Sequence, residues 1–226
     1  MDELLNSNIQ IIDLLATKNW IEKNQNIISS KLNIDIIEIT ADELKKISSL
    51  TTPNEVFAVV KQAEFTFKID EIKSELSLFL ESINDPGNLG TIIRIADWFG
   101  IKNIFCSNDS VDVYNPKVVQ ASMGAIYRIK THYVDSIDFL TELNQVDNFN
   151  IYGTFLEGDF IYKQELSESG LIIMGSESHG ISKDIESFIN QKLFIPNYPQ
   201  DLKTSESLNI SVATAIVCSE FRRKIF

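Results

Sequence analysis

From Glu75 onward the chain alternates short, almost unbroken apolar runs with stretches whose apolar residues recur at helical spacing, and this alternation constrains the fold more than any other feature. The pattern predicts strands at Glu75–Ile83, Ile101–Cys106, Tyr127–Ile129, Phe149–Thr154, Leu171–Met174 and Lys192–Ile195. Between and after them it predicts helices at Leu89–Phe99, Pro116–Met123, Ser136–Asn144 and Lys183–Asn190, and a last long helix from Ser207 toward Arg223 with an apolar stripe through Leu208, Val212, Ala215, Ile216 and Ser219. A run such as Leu-Ile-Ile-Met at 171–174 has no polar face, so it must be covered on both sides, which is the condition of a parallel α/β sheet between two layers of helices. Open sheets of this kind bind ligands at the carboxyl ends of their strands. The unusual residues of this chain lie just past those ends.

Residues 1–66 read as a separate, small α/β unit: a helix at Glu3–Asn6, a strand at Gln10–Leu15, a helix over Trp20–Leu32 and strands at Asp35–Ile39 and Val56–Val60. Thr40 followed by Glu43 has the form of a capping box that opens a short helix. The unit starts abruptly, as a domain lacking its first elements would. The polar stretch Lys61–Lys73 joins it to the second domain, with the linker placed at residues 67–75 and that domain at 76–226.

With 44% hydrophobic residues, a chain of 226 residues can build real cores. No apolar run approaches the roughly 20 residues that span a bilayer, and the start, MDELLNSN, carries acids where a secretory signal carries bases, so the cytoplasm is the expected compartment. Cys106 and Cys218 have no metal-ligand spacing and sit in apolar surroundings, which predicts reduced core thiols. The net charge of −12 argues against non-specific nucleic-acid binding. A local groove needs only a few cations, however, so an RNA partner has to be argued from a site.

Three segments carry candidate chemistry. Asn84–Gly100, NDPGNLGTIIRIADWFG, packs a Pro86-Gly87 turn, Gly90 and Arg94 into the start of an amphipathic helix. Leu89, Ile92, Ile93, Ala96 and Phe99 share one face of it, and Arg94 falls outside that face. Two readings fit Arg94: a surface arginine paired with Asp85 or Asp97, or a cation reaching back toward an anion at the turn. Met174–Ser182, MGSESHGIS, is a tight loop bracketed by Gly175 and Gly180, offering Glu177 as a carboxylate or merely as a solvated acid, and His179 as an exposed bystander. Phe194–Ile216 ends a strand at Ile195-Pro196 and opens a helix at Ser207, Leu208 and Asn209, whose polar side chains also suit a helix cap.

Taken together, in this order, strand–NxxxNLGTxxRxADxFG, strand–GSExxG and strand–IP…SLNxS resemble the SpoU/TrmH family of RNA ribose 2′-O-methyltransferases, over Leu76–Phe226. The resemblance implies a trefoil-knotted SPOUT methyltransferase domain whose C-terminal segment threads an earlier loop, preceded by a ribosomal-protein-like substrate-binding domain. General topology rules alone would not suggest the knot. It implies S-adenosylmethionine as cofactor, held around Thr154, Gly175, Gly180, Ile195, Pro196 and Leu208, and an active site of Asn88, Arg94, Glu177, Ser207 and Asn209. RNA is the implied substrate, rRNA before tRNA, with a homodimer formed partly through the last helix and no metal. Arginine has essentially no base form near neutral pH, so Arg94 is expected to act electrostatically, on a neighbouring phosphate and the developing alkoxide. Pro199 in a long loop after Pro196, and Gln120 where arginine is common, depart from the family pattern. A catalytically silent RNA-binding module on the same fold is the alternative; a dinucleotide oxidoreductase would explain the parallel sheet and glycine turns, but the lack of a GxGxxG after a strand speaks against it.

Overall fold

A computed structural model describes residues 1–31, 35–199 and 207–223 of the chain and divides it into two units, Met1–Glu64 and Phe65–Phe226. The first unit runs α1 (Asp2–Leu5), β1 (Ile11–Ala16), α2 (Lys18–Lys23), α3 (Gln25–Lys31), β2 (Ile36–Glu38), α4 (Ala41–Ile47) and β3 (Val56–Val60). Its three-stranded sheet has the order β2-β1-β3, parallel on one side of β1 and antiparallel on the other. The single helix expected over Trp20–Leu32 is two, because Asn24 closes α2 with its own side-chain amide on the Trp20 carbonyl; Leu32 lies outside the described residues. The capping box forms as expected: the Thr40 hydroxyl accepts from the Glu43 amide at 3.2 Å, and Glu43 accepts from the Thr40 amide at 2.8 Å.

The second unit continues with α5 (Ile69–Ile72), β4 (Leu76–Leu80), α6 (Pro86–Trp98), β5 (Asn103–Ser107), α7 (Pro116–Ser122), β6 (Lys130–Val134), α8 (Ser136–Asn144), β7 (Ile151–Phe155), β8 (Asp159–Phe160), β9 (Gly170–Met174), α9 (Lys183–Glu186), β10 (Gln191–Phe194) and α10 (Ile210–Arg222). Its seven strands are all parallel, in the order β6-β5-β4-β9-β7-β10-β8. Every residue of β4, β5 and β9 is buried, and alternate residues serve opposite layers. Leu78, Leu80, Ile104 and Ile172 pack with Leu89, Ile92, Ile93, Val217 and Phe221 of α6 and α10, whereas Phe79, Phe105 and Ile173 pack with Phe139, Leu140 and Leu143 of α8.

Several local expectations are corrected by this packing. The stretch read as a linker carries α5, whose Ile72 is fully buried, and Phe67 packs edge-on to Phe105. Tyr127 ends a 3₁₀ turn, Ala125–Tyr127, so the expected strand begins only at Lys130. The helix expected over Lys183–Asn190 stops at Glu186, and that expected from Ser207 begins at Ile210. α10 buries Ile210, Thr214, Val217, Cys218 and Phe221; the expected stripe of Leu208, Val212, Ala215, Ile216 and Ser219 is exposed or half-buried instead. Apolar residues ring this helix, so periodicity did not select the face. Gly90 has a structural use: a β-carbon there would stand 2.6 Å from Ala121 Cβ and 2.7 Å from the Val118 carbonyl, so its absence lets α6 and α7 touch backbone to backbone. Both cysteines are buried, and burial pushes each thiol up to about 12.

His132 is a core histidine. Its Nε2 lies 3.1 Å from Asn103 Oδ1, and its ring stacks on Phe105 with centroids 4.9 Å apart. Burial pushes its pKa below the ordinary 6.5; a main-chain hydrogen bond at Phe65 opposes this and Lys130 adds to it. The unfolded chain therefore takes up the proton first as pH falls through about 6.5, and stability present above that pH is lost below it, by at most about 1.4 kcal/mol per pH unit. Melting followed from about pH 8 down to about pH 5.5 is expected to fall more steeply for the parent chain than for His132→Gln. Equal slopes would remove His132 as the cause.

Candidate active site

The order β4-β9-β7-β10 places side by side the strand ends that lead into the three candidate segments, and parallel pairing puts all those ends on one edge of the sheet. Asp85 caps α6, its Oδ1 accepting the Asn88 amide at 2.8 Å. Pro86-Gly87 is therefore the first turn of the helix rather than a turn ahead of it, with proline at the position where a missing N–H costs nothing. Asn88 thus stands in that first turn, at the sheet edge.

After β9 the chain makes a closed loop. Ser176 and Gly180 exchange two main-chain hydrogen bonds of 3.0 and 2.9 Å, and the Ser176 hydroxyl accepts the His179 amide. Gly180 has φ +68, and Gly175 lies so close beneath it that a β-carbon would stand 2.2 Å from the Gly180 carbonyl carbon. The loop projects Glu177 at its tip. His179 is exposed and shares a hydrogen bond with Ser178, in keeping with a bystander. Glu81, which the sequence reading passed over, ties the loop's far end to β4: its amide donates to the Met174 carbonyl at 3.0 Å and its carboxylate accepts the Ser182 amide at 3.0 Å. The only signal for it in the sequence is an acid at the end of an apolar run.

Asn209 is the N-cap of α10 and does two things with one side chain. Its Oδ1 accepts from the Ser211 and Val212 amides and from the Ser211 hydroxyl. That leaves Nδ2 to donate to Asn88 Oδ1 at 3.0 Å and Glu177 Oε1 at 2.8 Å. Asn88 Nδ2 donates to the same Glu177 oxygen at 2.8 Å. Three side chains from three remote segments thus close a ring in which every amide has its donor and acceptor ends assigned by its partners.

Arg94 and Ser207 stand outside this ring. Arg94 is exposed on α6 and, among the described residues, has no hydrogen bond or ion pair. Asp97, one suggested partner, is engaged by Arg128 through Nε at 2.9 Å and Nη2 at 2.7 Å. Ser207 and Leu208 precede α10 and are exposed. Thr154 lies at the end of β7 with its hydroxyl on the Ile173 carbonyl at 3.4 Å, opposite Leu193 of β10, and Ile195 and Pro196 continue from β10. The strand ends thus offer main-chain groups bordered by apolar side chains: Leu156, 65% exposed, follows β7, and Leu208, 46% exposed, adjoins Asn209. Main-chain groups and exposed apolar side chains are the chemistry that a flat, mostly apolar ring with hydrogen-bonding edges requires.

A parallel sheet with helices on both faces, carrying a polar ring at its strand ends, places the second unit in the doubly covered parallel α/β class, whose members bind ligands at such ends. The chain belongs to the SpoU rRNA methylase family, whose model matches residues 75–219. A second model, RNA 2′-O ribose methyltransferase substrate binding, matches residues 2–66. Among curated relatives, the 23S rRNA (guanosine(2553)-2′-O)-methyltransferase RlmP of Bacillus subtilis is 27% identical over 208 residues, covering 91% of this chain and 80% of that protein. A solved structure from Porphyromonas gingivalis, assigned to the TrmH family of RNA methyltransferases, superposes with a TM-score of 0.83 at 35% identity, over 98% of this chain and 86% of that one. An rRNA methyltransferase from Sinorhizobium meliloti, solved with AdoMet bound, shares the fold with a TM-score of 0.81 at 24% identity, over 100% of this chain and 84% of its own.

Proposed function

We propose that this chain transfers a methyl group from S-adenosylmethionine to a ribose 2′-hydroxyl of RNA, with rRNA as the first candidate substrate and tRNA the second. The observation that carries the reading is the hydrogen-bonded ring of Asn88, Glu177 and Asn209, which draws all three segments of the family pattern to one sheet edge. The P. gingivalis likeness and the named activity of RlmP support it.

S-adenosylmethionine supplies an activated methyl group when bound. The strand-end main chain around Thr154, Gly175 and Gly180, and around Ile195 and Pro196, together with Leu208, would hold the adenosine. Asn88, Asn209 and Ser207 orient the ribose, and Glu177 keeps both asparagine amides aligned. Arg94, unpaired among the described residues, binds the adjacent phosphate and stabilises the forming alkoxide in a site where alignment alone can supply several kcal/mol. Residues 1–66 form the RNA-binding domain and residues 76–226 the catalytic one. In the same reading the protein is a cytoplasmic homodimer that needs no metal. The exposed Val212, with half-buried Ala215 and Ile216 beside it, gives α10 an apolar face for a second copy. The return of α10 against α6, with Arg222 Nε on the Phe99 carbonyl at 2.9 Å, is consistent with the knotted threading.

Purified protein given labelled S-adenosylmethionine and unmodified rRNA transcripts is expected to produce an alkali-resistant, 2′-O-methylated dinucleotide. Calorimetry that detects no S-adenosylmethionine binding, with no transfer to any rRNA or tRNA, would instead support the catalytically silent module.

A further inference from the structure

Between the end of β4 and the cap of α6 the chain passes through Ser82, a non-glycine residue at φ +54. That left-handed conformation is disfavoured for any residue with a β-carbon, and where it persists the surroundings hold it in place. The surroundings here are the last residue of β5 and the loop that follows it. The Ser82 hydroxyl donates to Asp109 Oδ2 at 2.5 Å, and the Ser107 hydroxyl donates to Asp109 Oδ1 at 2.5 Å. The Ser107 hydroxyl oxygen in turn accepts the Ser82 amide at 2.8 Å. Beyond it the Ile83 amide donates to the Ser110 hydroxyl at 3.1 Å, and the Val111 amide donates to the Ile83 carbonyl at 2.8 Å. Tyr133 of β6 fastens the far side of the loop, donating to the Val111 carbonyl at 2.6 Å and accepting the Val113 amide at 2.7 Å.

A glycine would take up this conformation without help. The serine needs the loop, and its hydroxyl is what the loop grips. Both bonds to Asp109 have the length of charge-assisted hydroxyl–carboxylate contacts. The hydroxyls of Ser107 and then Ser82 hold the Asp109 carboxyl below the usual carboxylate range, so the grip is ionised at neutral pH. Further along, Asp85 starts α6, and Asn88 stands in its first turn, where it meets Glu177 and Asn209.

We propose that Asp109 is a positioning residue for methyl transfer: acting through Ser82, it sets the direction in which α6 leaves β4 and so where Asn88 and Arg94 stand. The proposal rests on the methyl-transfer reading for its kinetic consequence but not for its structural one. Asp109→Ala is expected to lower kcat on rRNA transcripts by about 10–100-fold, the scale of a misplacement near 1 Å, with KM for S-adenosylmethionine unchanged. Adding Ser82→Gly to that variant is expected to restore most of the lost kcat, because glycine keeps φ positive without the carboxylate. A kcat equal to that of the parent, or a loss that Ser82→Gly does not relieve, overturns the proposal. If the parent chain methylates no rRNA transcript, the functional reading fails first, and amide hydrogen exchange decides this one. Asp109→Ala is then expected to remove protection from the Ser82, Ile83 and Asn88 amides; an Asn88 amide as protected as in the parent overturns it.

Discussion

Arg94→Ala is expected to cut methyl transfer by about 10²–10³-fold, the cost of removing one group aimed at charge that develops in the transition state, while S-adenosylmethionine binding and melting temperature hold. The structural alternatives for this arginine are occupied by others. Asp97 is held in a two-pronged contact by Arg128, and Asp85 spends an oxygen on the Asn88 amide as the cap of α6. An exposed arginine in the interior of a helix contributes little to helix stability beyond its propensity, which alanine exceeds. A fall in turnover therefore reports chemistry. Arg94→Lys is expected to recover only part of the rate, since a lysine keeps the charge and loses the planar fork that grips a phosphate on two oxygens. Single-turnover transfer to rRNA, alongside calorimetric titration with S-adenosylmethionine, separates the two steps. Parent-like turnover in Arg94→Ala would take this residue out of the mechanism.

Gly175→Ala is expected to weaken S-adenosylmethionine binding at least about tenfold, equivalent to about 1.4 kcal/mol, and to reduce transfer to background. The added carbon would lie 2.2 Å from the Gly180 carbonyl carbon, 2.4 Å from the Ile181 nitrogen and 2.5 Å from the Gly180 oxygen. All three are backbone atoms, so no rotamer change relieves the overlap. Relief requires opening the Ser176–Gly180 bridge, and that moves Glu177 off Asn88 and Asn209. Overpacking of this kind costs about 1–3 kcal/mol, and each lost hydrogen bond to a carboxylate adds about 1.5–3 kcal/mol. Gly180→Ala provides the contrast, because a β-carbon there meets nothing within 4 Å and the only penalty is a positive φ of 68°. The milder variant is expected to melt slightly lower and still bind. Gly175→Ala that binds like the parent would show that the loop can shift without consequence.

Much of the second unit was legible in the chain. The runs at Leu76–Leu80 and Gly170–Met174 have no polar face to offer water, and no arrangement other than burial between two helical layers satisfies them. Thr40 announced a helix start through chemistry confined to four residues, whereas the caps of Asp85 and Asn115 were seen only in the structure. The segments holding Asn88, Glu177 and Asn209 were legible as strand-end features, because each combines a turn former with a polar residue where a buried strand stops.

Other choices depended on partners far away in sequence. Capping and site duty looked like competing accounts of Asn209, yet its two amide ends perform both, and only the position of Glu177 shows which end is free. Gly90 offered a close approach to some partner, and only the structure shows that the partner is a helix, since Val118 and Ala121 are brought to it by the sheet rather than by the local chain. α10 offered two apolar faces, and α6 selected one.

The sequence by itself therefore determined most of the strand and helix order, though not α5 or β8, together with the parallel doubly covered sheet and the three segments where chemistry could reside. These arise from backbone hydrogen bonding and side-chain polarity over short stretches, which are local quantities. Tertiary structure alone decided that Asn88, Glu177 and Asn209 form one ring, that Arg94 stands outside it, and that Ser82 is held left-handed by Asp109. Those outcomes depend on hydrogen-bond geometry to within a few tenths of an ångström between residues 27 to 121 positions apart, and such distances exist only after the sheet has ordered its strands.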